Sequence, residues 1–156
     1  MIERSLRSLH RLLEALAVLC LALLLIIVFL QVVFRYVFQI SVPFTEEAAR
    51  YIGVWLVFTG GAALVASDGH IRLTFLVDLA RGTPRTVLLA LSALLVLVFN
   101  ATLLIGGLRL IPLNWAQSAT TLPVTVSVLY IAVALCAACS ILFVLHRLWS
   151  WLTGRA

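Results

Sequence analysis

Charged residues are scarce in this chain, and lysine is absent altogether. Only 11% of the 156 residues are charged and 64% are apolar, whereas about a quarter of the residues in soluble domains are charged. This composition excludes an ordinary soluble fold and indicates a membrane protein. The net charge of +5 comes from arginines scattered around apolar runs, so the compact basic patch that binds nucleic acid is missing.

Cysteine and histidine are also few. Cys136 and Cys139 have the spacing of a redox or metal-ligand pair, but no second Cys or His pair at matching spacing accompanies them. Together with Cys20 they are predicted to be small packing residues. The histidines, His10 and His146 among them, lie near the ends of the apolar runs or between them, which does not suit haem ligation across the membrane. We predict no metal and no cofactor.

No ionisable residue lies in the middle of any apolar run. Ion-coupled carriers usually need such a residue, or broken helices around a site. Glu14 is the only acid inside a run, close to one end. The uncharged Gln31 and Asn100 are candidates for hydrogen bonds between helices. Because no nucleophile, metal cluster or phosphate-binding loop is evident either, the chain is predicted not to be an enzyme.

What the sequence does contain is four long apolar runs, at about 12–34, 47–66, 87–108 and 124–145. Each has roughly the 20 residues that cross a bilayer as an α-helix, and lipid offers no partners for an open backbone. We predict an all-α membrane protein with a single four-helix transmembrane domain. The first run is longer than a signal-peptide core, so it is predicted to be an uncleaved anchor.

Two further segments are amphipathic. Near the N-terminus, Leu6 and Leu9 alternate at helical spacing with Arg4 and Arg7, which predicts a helix able to lie along the membrane surface. Residues 67–85, between the second and third runs, have a similar pattern and are predicted to form a cytoplasmic interfacial segment. Gly82 ends that segment.

The arginines predict the orientation. Eight lie in the N-terminal segment, the second connection and the C-terminus, and three lie in the other two connections. The positive-inside rule therefore places both termini and the middle connection in the cytoplasm.

Four charges fall between the first two runs. Thr45 is predicted to cap the second helix, with Glu46 and Glu47 at the positive end of its dipole. Arg35 and Arg50 are predicted to pair with these carboxylates and so tie the first two helices together. Paired with arginine, the carboxylates stay ionised, which does not suit catalysis. A solvated loop is the alternative.

Small residues occur in the second and third runs. Gly53, Gly60 and Gly61 precede two alanines, and Gly106 and Gly107 lie in the third run. Glycines let helices approach closely, and packing within the four-helix domain is the simplest use for them.

Four short stretches resemble a known family. The stretches FRYVF at 34–38 and PFTEEAARY at 43–51, then GHIR at 69–72 and LP at 122–123, are similar to segments of the small membrane subunit of tripartite ATP-independent periplasmic (TRAP) transporters. Family members typically have Trp where Phe44 stands.

The resemblance implies a non-catalytic scaffold subunit in the bacterial inner membrane. Its expected partners are membrane lipid, a large multi-helix subunit that imports an organic acid with sodium, and a periplasmic substrate-binding protein. The candidate structural and partner-interface residues are Arg35, Tyr36, Glu46, Glu47, Arg50, Gly60, Gly61, His70 and Arg72.

Two other classes remain open from the residues alone. A self-contained four-helix exporter needs a membrane carboxylate in its first helix, for which Glu14 is the only candidate. A membrane anchor of a redox enzyme needs a haem or quinone site, which a pigment spectrum would reveal.

Overall fold

The described part of the chain folds into four α-helices. A computed structural model describes residues 2–40, 42–67 and 83–153. The helices are α1 (Ile2–Tyr36), α2 (Pro43–Ala66), α3 (Thr83–Leu113) and α4 (Ser127–Leu152). Each contains a segment long and apolar enough to cross a membrane, and these segments are Arg4–Tyr36, Pro43–Ala66, Ala90–Leu113 and Ser127–Ser150. The predicted all-α membrane fold with four spanning helices is confirmed.

Helix α1 is continuous over 35 residues. At 1.5 Å per residue it is about 52 Å long, whereas the hydrocarbon core of a bilayer is about 30 Å thick. The predicted amphipathic segment is therefore the first turns of α1, and the expectation of a separate helix lying on the membrane before a bend is wrong. The segment contains neither glycine nor proline to break the helix. Residues 68–82, most of the second amphipathic segment, lie outside the described residues.

The helices stand in a row. The extensive helix contacts are α1 with α2, α2 with α4, and α4 with α3, so the order across the molecule is α1, α2, α4, α3. Of the most apolar part of each helix, 28% is buried in α2 and 33% in α4, against 6% in α1 and 11% in α3. The outer helices thus expose most of their apolar surface to whatever surrounds the protein.

The core lies where α1, α2 and α4 meet. Leu13 packs there with Ala62 and Ala63 of α2 and with Cys136 and Phe143 of α4. Alanine is common in this core because small side chains let membrane helices approach closely. The thiols of Cys20, Cys136 and Cys139 are free and the first two are buried, as expected of packing residues.

Hydroxyl and amide groups inside the spans bond mostly to their own helix. Thr59, fully buried, donates to the Trp55 carbonyl at 2.6 Å, and Ser140 donates to Cys136 at 2.9 Å. The side-chain amide of Asn100 donates to the Val96 carbonyl at 2.8 Å. This bond lies within α3, whereas a bond to a second helix was predicted. These bonds satisfy polar groups that lipid cannot.

One glycine holds two helices close. A Cβ at Gly107 would lie 3.2 Å from Cβ of Ala134 and 3.3 Å from the carbonyl oxygen of Tyr130. At Gly53, Gly60, Gly61 and Gly106, a Cβ would meet no such atom within 4 Å. Close packing between helices therefore explains Gly107. The prediction that the glycines serve such packing is wrong for the other four of these five, which face open space.

The turn between α1 and α2 contains a strained residue. Gln39 has φ of 55°, in the left-handed region that non-glycine residues seldom occupy. This conformation turns the chain so that the amide of Ile40 donates to the Phe34 carbonyl at 3.0 Å. The turn thereby satisfies one of the last carbonyls of α1.

Candidate functional site

The sequence motifs meet at one end of the helix row, where α1 ends, α2 begins and α3 connects to α4. Part of the α3–α4 connection, residues 117–126, forms a short antiparallel hairpin. Its backbone bonds run from Ala119 to the Val124 carbonyl at 2.8 Å and from Val126 to the Gln117 carbonyl at 2.9 Å. An isolated bridge joins Ser118 and Thr125. We call this end of the molecule the hairpin end.

Glu47 holds the tip of the hairpin. Its carboxylate accepts hydrogen bonds from the backbone amides of Thr120 at 2.8 Å, Thr121 at 2.6 Å and Leu122 at 3.2 Å. The Thr121 hydroxyl also donates to it. Successive backbone amides that converge in this way form a concave anion-binding site. One side chain of α2 therefore fixes the connection between α3 and α4.

Glu46 forms a hydrogen bond with α1, on the side of α2 opposite to the hairpin. Its Oε1 accepts a hydrogen bond from Nε2 of Gln31 at 3.3 Å, which links α2 to α1. The expected cross-helix bond of Gln31 is therefore present. The two adjacent carboxylates connect α2 with two different parts of the chain.

The predicted arginine–glutamate pairs are not formed. Within the described part of the chain, Arg35 and Arg50 make no ion pair, and both side chains are exposed. The carboxylates are instead satisfied by neutral donors, because the hairpin and Gln31 lie closer to them. The prediction that arginines tie α1 to α2 is wrong, although the carboxylates do connect the helices.

The predicted cap is also misplaced. Helix α2 begins at Pro43 after an N-cap at Val42 that makes no side-chain capping bond. Proline suits this first position because its missing amide would have no partner there. Thr45 therefore lies inside the first turn, where it is buried and its hydroxyl donates to the Val42 carbonyl at 2.7 Å.

A second hydrogen bond fixes the base of the hairpin. The hydroxyl of Ser127, the first residue of α4, is fully buried and donates to the Ile111 carbonyl at 2.7 Å. Asn114 donates its side-chain amide to Leu110 at 2.9 Å. Helix α3 ends just after Pro112. Ser127 thus occupies a carbonyl of the last turn of α3, whereas the Leu110 carbonyl accepts from both the backbone amide and the side chain of Asn114.

The other candidate residues lie apart from these bonds. Tyr36 is 76% exposed at the end of α1. Gly60 and Gly61 are in the half of α2 that leads away from the hairpin end, next to the core alanines. His70 and Arg72 lie outside the described residues.

The carboxylates of the hairpin end are not arranged for acid–base chemistry. Glu47 is surrounded by donors, which is the environment of a structural carboxylate and not of a general base. The described residues include no group of three or more His, Cys, Asp or Glu side chains that could hold a metal ion. The side chains that this end exposes include two arginines, Tyr36 and Phe44, together with apolar residues such as Phe38 and Trp115.

Glu14 lies toward the other end of α1. It is 55% exposed and pairs with His10, whose Nε2 is 3.3 Å from its carboxylate. A carrier would hold such a group within a polar path through the protein. This position does not support the exporter alternative.

Sequence reasoning missed the partners of Glu47. Thr120 and Thr121 lie more than seventy residues away from it in the chain, so no helical spacing connects them. The available signal was the run of polar residues just before Leu122 and Pro123. Two of the family-like motifs, around Glu47 and at Leu122, are in contact.

Comparison with known proteins agrees with these motifs. The family model described as "Tripartite ATP-independent periplasmic transporters, DctQ component" matches residues 24–154. Two proteins of Haemophilus influenzae, each bearing the name TRAP transporter small permease protein, are similar. One is 42% identical over 72 residues, covering 44% of this chain and 45% of its own length.

The other relative is 29% identical over 132 residues and covers 84% of this chain and 79% of its own length. The chain thus spans less than half the length of the first relative and most of the second. Since the family model covers well over half of the chain, the chain belongs to the DctQ family, the small membrane components of tripartite ATP-independent periplasmic transporters, and is a transporter subunit and not an enzyme.

Proposed function

We propose that this chain is a scaffold subunit that transports nothing by itself. It joins a large multi-helix membrane subunit, which imports an organic acid together with sodium ions, and works with a periplasmic binding protein that delivers the acid. In this role the chain lies in the bacterial inner membrane with both termini in the cytoplasm.

The observation that carries this proposal is the absence of charge along the middle of every helix. Residues 15–34, 51–66, 86–108 and 127–145 contain no Asp, Glu, Lys, Arg or His. A path for sodium or for an anionic substrate needs charged groups or broken helices near the bilayer midplane. Each of the four helices described here runs unbroken through its span.

The row of helices supports the same conclusion. A carrier encloses its substrate between helices, whereas here α1 and α3 each have one main neighbour and expose most of their apolar surface. The exposed apolar surfaces of α1 and α3 offer broad faces to another membrane protein. This shape suits a support for a moving subunit.

Reconstitution tests the proposal. The organic acid is first identified as the one that most raises the melting temperature of the cognate binding protein. Proteoliposomes holding this chain with the large subunit should take up that labelled acid when the binding protein and an inward sodium gradient are supplied.

Proteoliposomes that hold only this chain should take up no more acid than empty liposomes. Uptake by the chain alone would overturn the scaffold role. Full uptake by the large subunit without this chain would also contradict it.

A further inference from the structure

We propose that α1 binds an anionic phospholipid along one exposed face, with the headgroup phosphate on Arg4, Arg7 and Arg11 and an acyl chain along the apolar residues that follow. This inference concerns the lipid partner of the chain and does not depend on the scaffold role.

The face is defined by helical spacing and exposure. Residues that share one side of α1 are exposed over seven turns. They are Arg4, Arg7, Arg11, Ala15, Val18, Ala22, Leu25 and Phe29. We call them the lipid face.

Along α1, the lipid face is basic in its first turns and apolar after Arg11. The arginines occupy its first two turns, and Val18, Leu25 and Phe29 are 66%, 63% and 67% exposed further along. Because α1 is about 20 Å longer than the hydrocarbon core, its arginine turns reach the headgroup region while the rest crosses the acyl chains. An acyl chain reaches across one leaflet, about 15 Å, so a lipid with its phosphate at Arg11 extends along Ala15 and Val18 to about Ala22. Leu25 and Phe29 face the opposite leaflet.

The opposite side of the same turns is already occupied. Leu6 and Leu9 pack against the core cluster that contains Leu13, so the arginine turns are fixed against α2 and α4 and do not fold along the membrane surface. Held in this way, the three guanidinium groups project from consecutive turns of a rigid helix. Guanidinium groups are the side chains best suited to phosphate oxygens.

Two acids share this region, Glu3 and Glu14. Glu14 lies one turn beyond Arg11 and is exposed, and it pairs with His10 at 3.3 Å. The headgroup end of the lipid face therefore carries three arginines against two carboxylates. Arg7 has a further interaction within the chain, and the remaining excess of positive charge still favours an anionic ligand.

The test is lipid retention by the purified full chain in detergent, measured by native mass spectrometry. The probes are phosphatidylglycerol and phosphatidylcholine with identical acyl chains, added at equal concentration. The wild type should retain phosphatidylglycerol in clear excess, and inorganic phosphate should not displace it because the acyl chain contributes to binding.

Substitution of all three arginines (Arg4→Gln, Arg7→Gln, Arg11→Gln) should abolish this preference, with about a fivefold loss for each arginine. The matched control replaces Arg35, Arg50 and Arg109 with Gln, the same change of charge toward the hairpin end, and should retain the lipid as the wild type does. Circular dichroism measures whether each variant keeps its helix content. If the triple variant unfolds, phosphatidylglycerol retention is compared between the single variants Arg11→Gln and Arg109→Gln.

Equal retention of the two lipids by the wild type, or equal loss in both sets of variants, would overturn the proposal. The variant Glu14→Gln gives a test of opposite sign, since it removes one of the two acids near the headgroup and should raise retention of phosphatidylglycerol. Unchanged or lower retention would contradict the placement of the headgroup.

Discussion

At the scale of single residues, Glu47 connects parts of the chain that are far apart in sequence. Glu47→Gln removes the charge and replaces one acceptor oxygen with a donor, so the amides of Thr120, Thr121 and Leu122 lose acceptors. We expect these amides to exchange with deuterium several-fold faster, as measured by exchange with mass spectrometry. Glu46→Gln is the control, because it removes the same charge one residue away and should leave the hairpin protected.

The two exposed arginines give a second prediction. Because Arg35 makes no ion pair in the described chain, Arg35→Gln should shift the melting temperature of the isolated subunit by no more than a typical surface substitution, within about 0.5 kcal/mol. If Arg35 contacts the large subunit, the same variant should co-purify with it in lower yield than the wild type. Loss of stability in the isolated chain would show that Arg35 serves the fold instead.

The residue types at the hairpin end were predictable from the sequence, but their partners were not. Two acids at a helix start indicated a cluster at the membrane edge. Opposite charges nearby then suggested ion pairs, yet the backbone amides of Thr120 and Thr121 satisfy Glu47. Backbone donors carry no sequence signature, and a contact across more than seventy residues depends on how the helices pack.

At the scale of the helices, Gly107 controls how closely α3 approaches α4. Gly107→Leu should destabilise the isolated chain by about 1–3 kcal/mol, because the new side chain meets Ala134 and Tyr130. Unfolding in a denaturing detergent, followed by circular dichroism, measures this change.

Gly106→Leu is a close control for that variant. It is one residue away on the same helix and gains the same helix propensity, but it faces open space within the chain. We expect no loss of stability in the isolated subunit. A comparable loss in both variants would show that the effect comes from the backbone and not from contact with α4.

The existence of the helices was predictable from hydropathy, but the residues at which they begin and end were harder to predict. All four apolar runs became helices, but α1 starts ten residues before its predicted span because a helix continues through polar residues as long as no glycine or proline interrupts it. The hairpin at 117–126 was missed. Its ladder is one bridge long, too short to leave a strand pattern in the sequence, and its tip donates hydrogen bonds to Glu47.

For the whole molecule, the arginine distribution predicts a direction in the membrane. With eight arginines on one side and three on the other, both termini should be cytoplasmic. A reporter that is active only in the periplasm should be silent when fused after Ala156 and active when fused after Trp115, beside the hairpin. The reverse pattern of activity would invert the topology.

The row of helices also predicts an order in which the chain assembles during synthesis. α1 and α2 are made in succession and are direct neighbours, so we expect them to pack together as soon as both have entered the membrane. α3 has no main neighbour until α4 has been synthesised, and it must wait in lipid or beside the insertion machinery. The arrival of α4 then provides contacts for both α2 and α3 at once. Of these four helices, the last in the chain is therefore the one that joins the other parts of the row, and a chain truncated before α4 leaves α3 without its main partner.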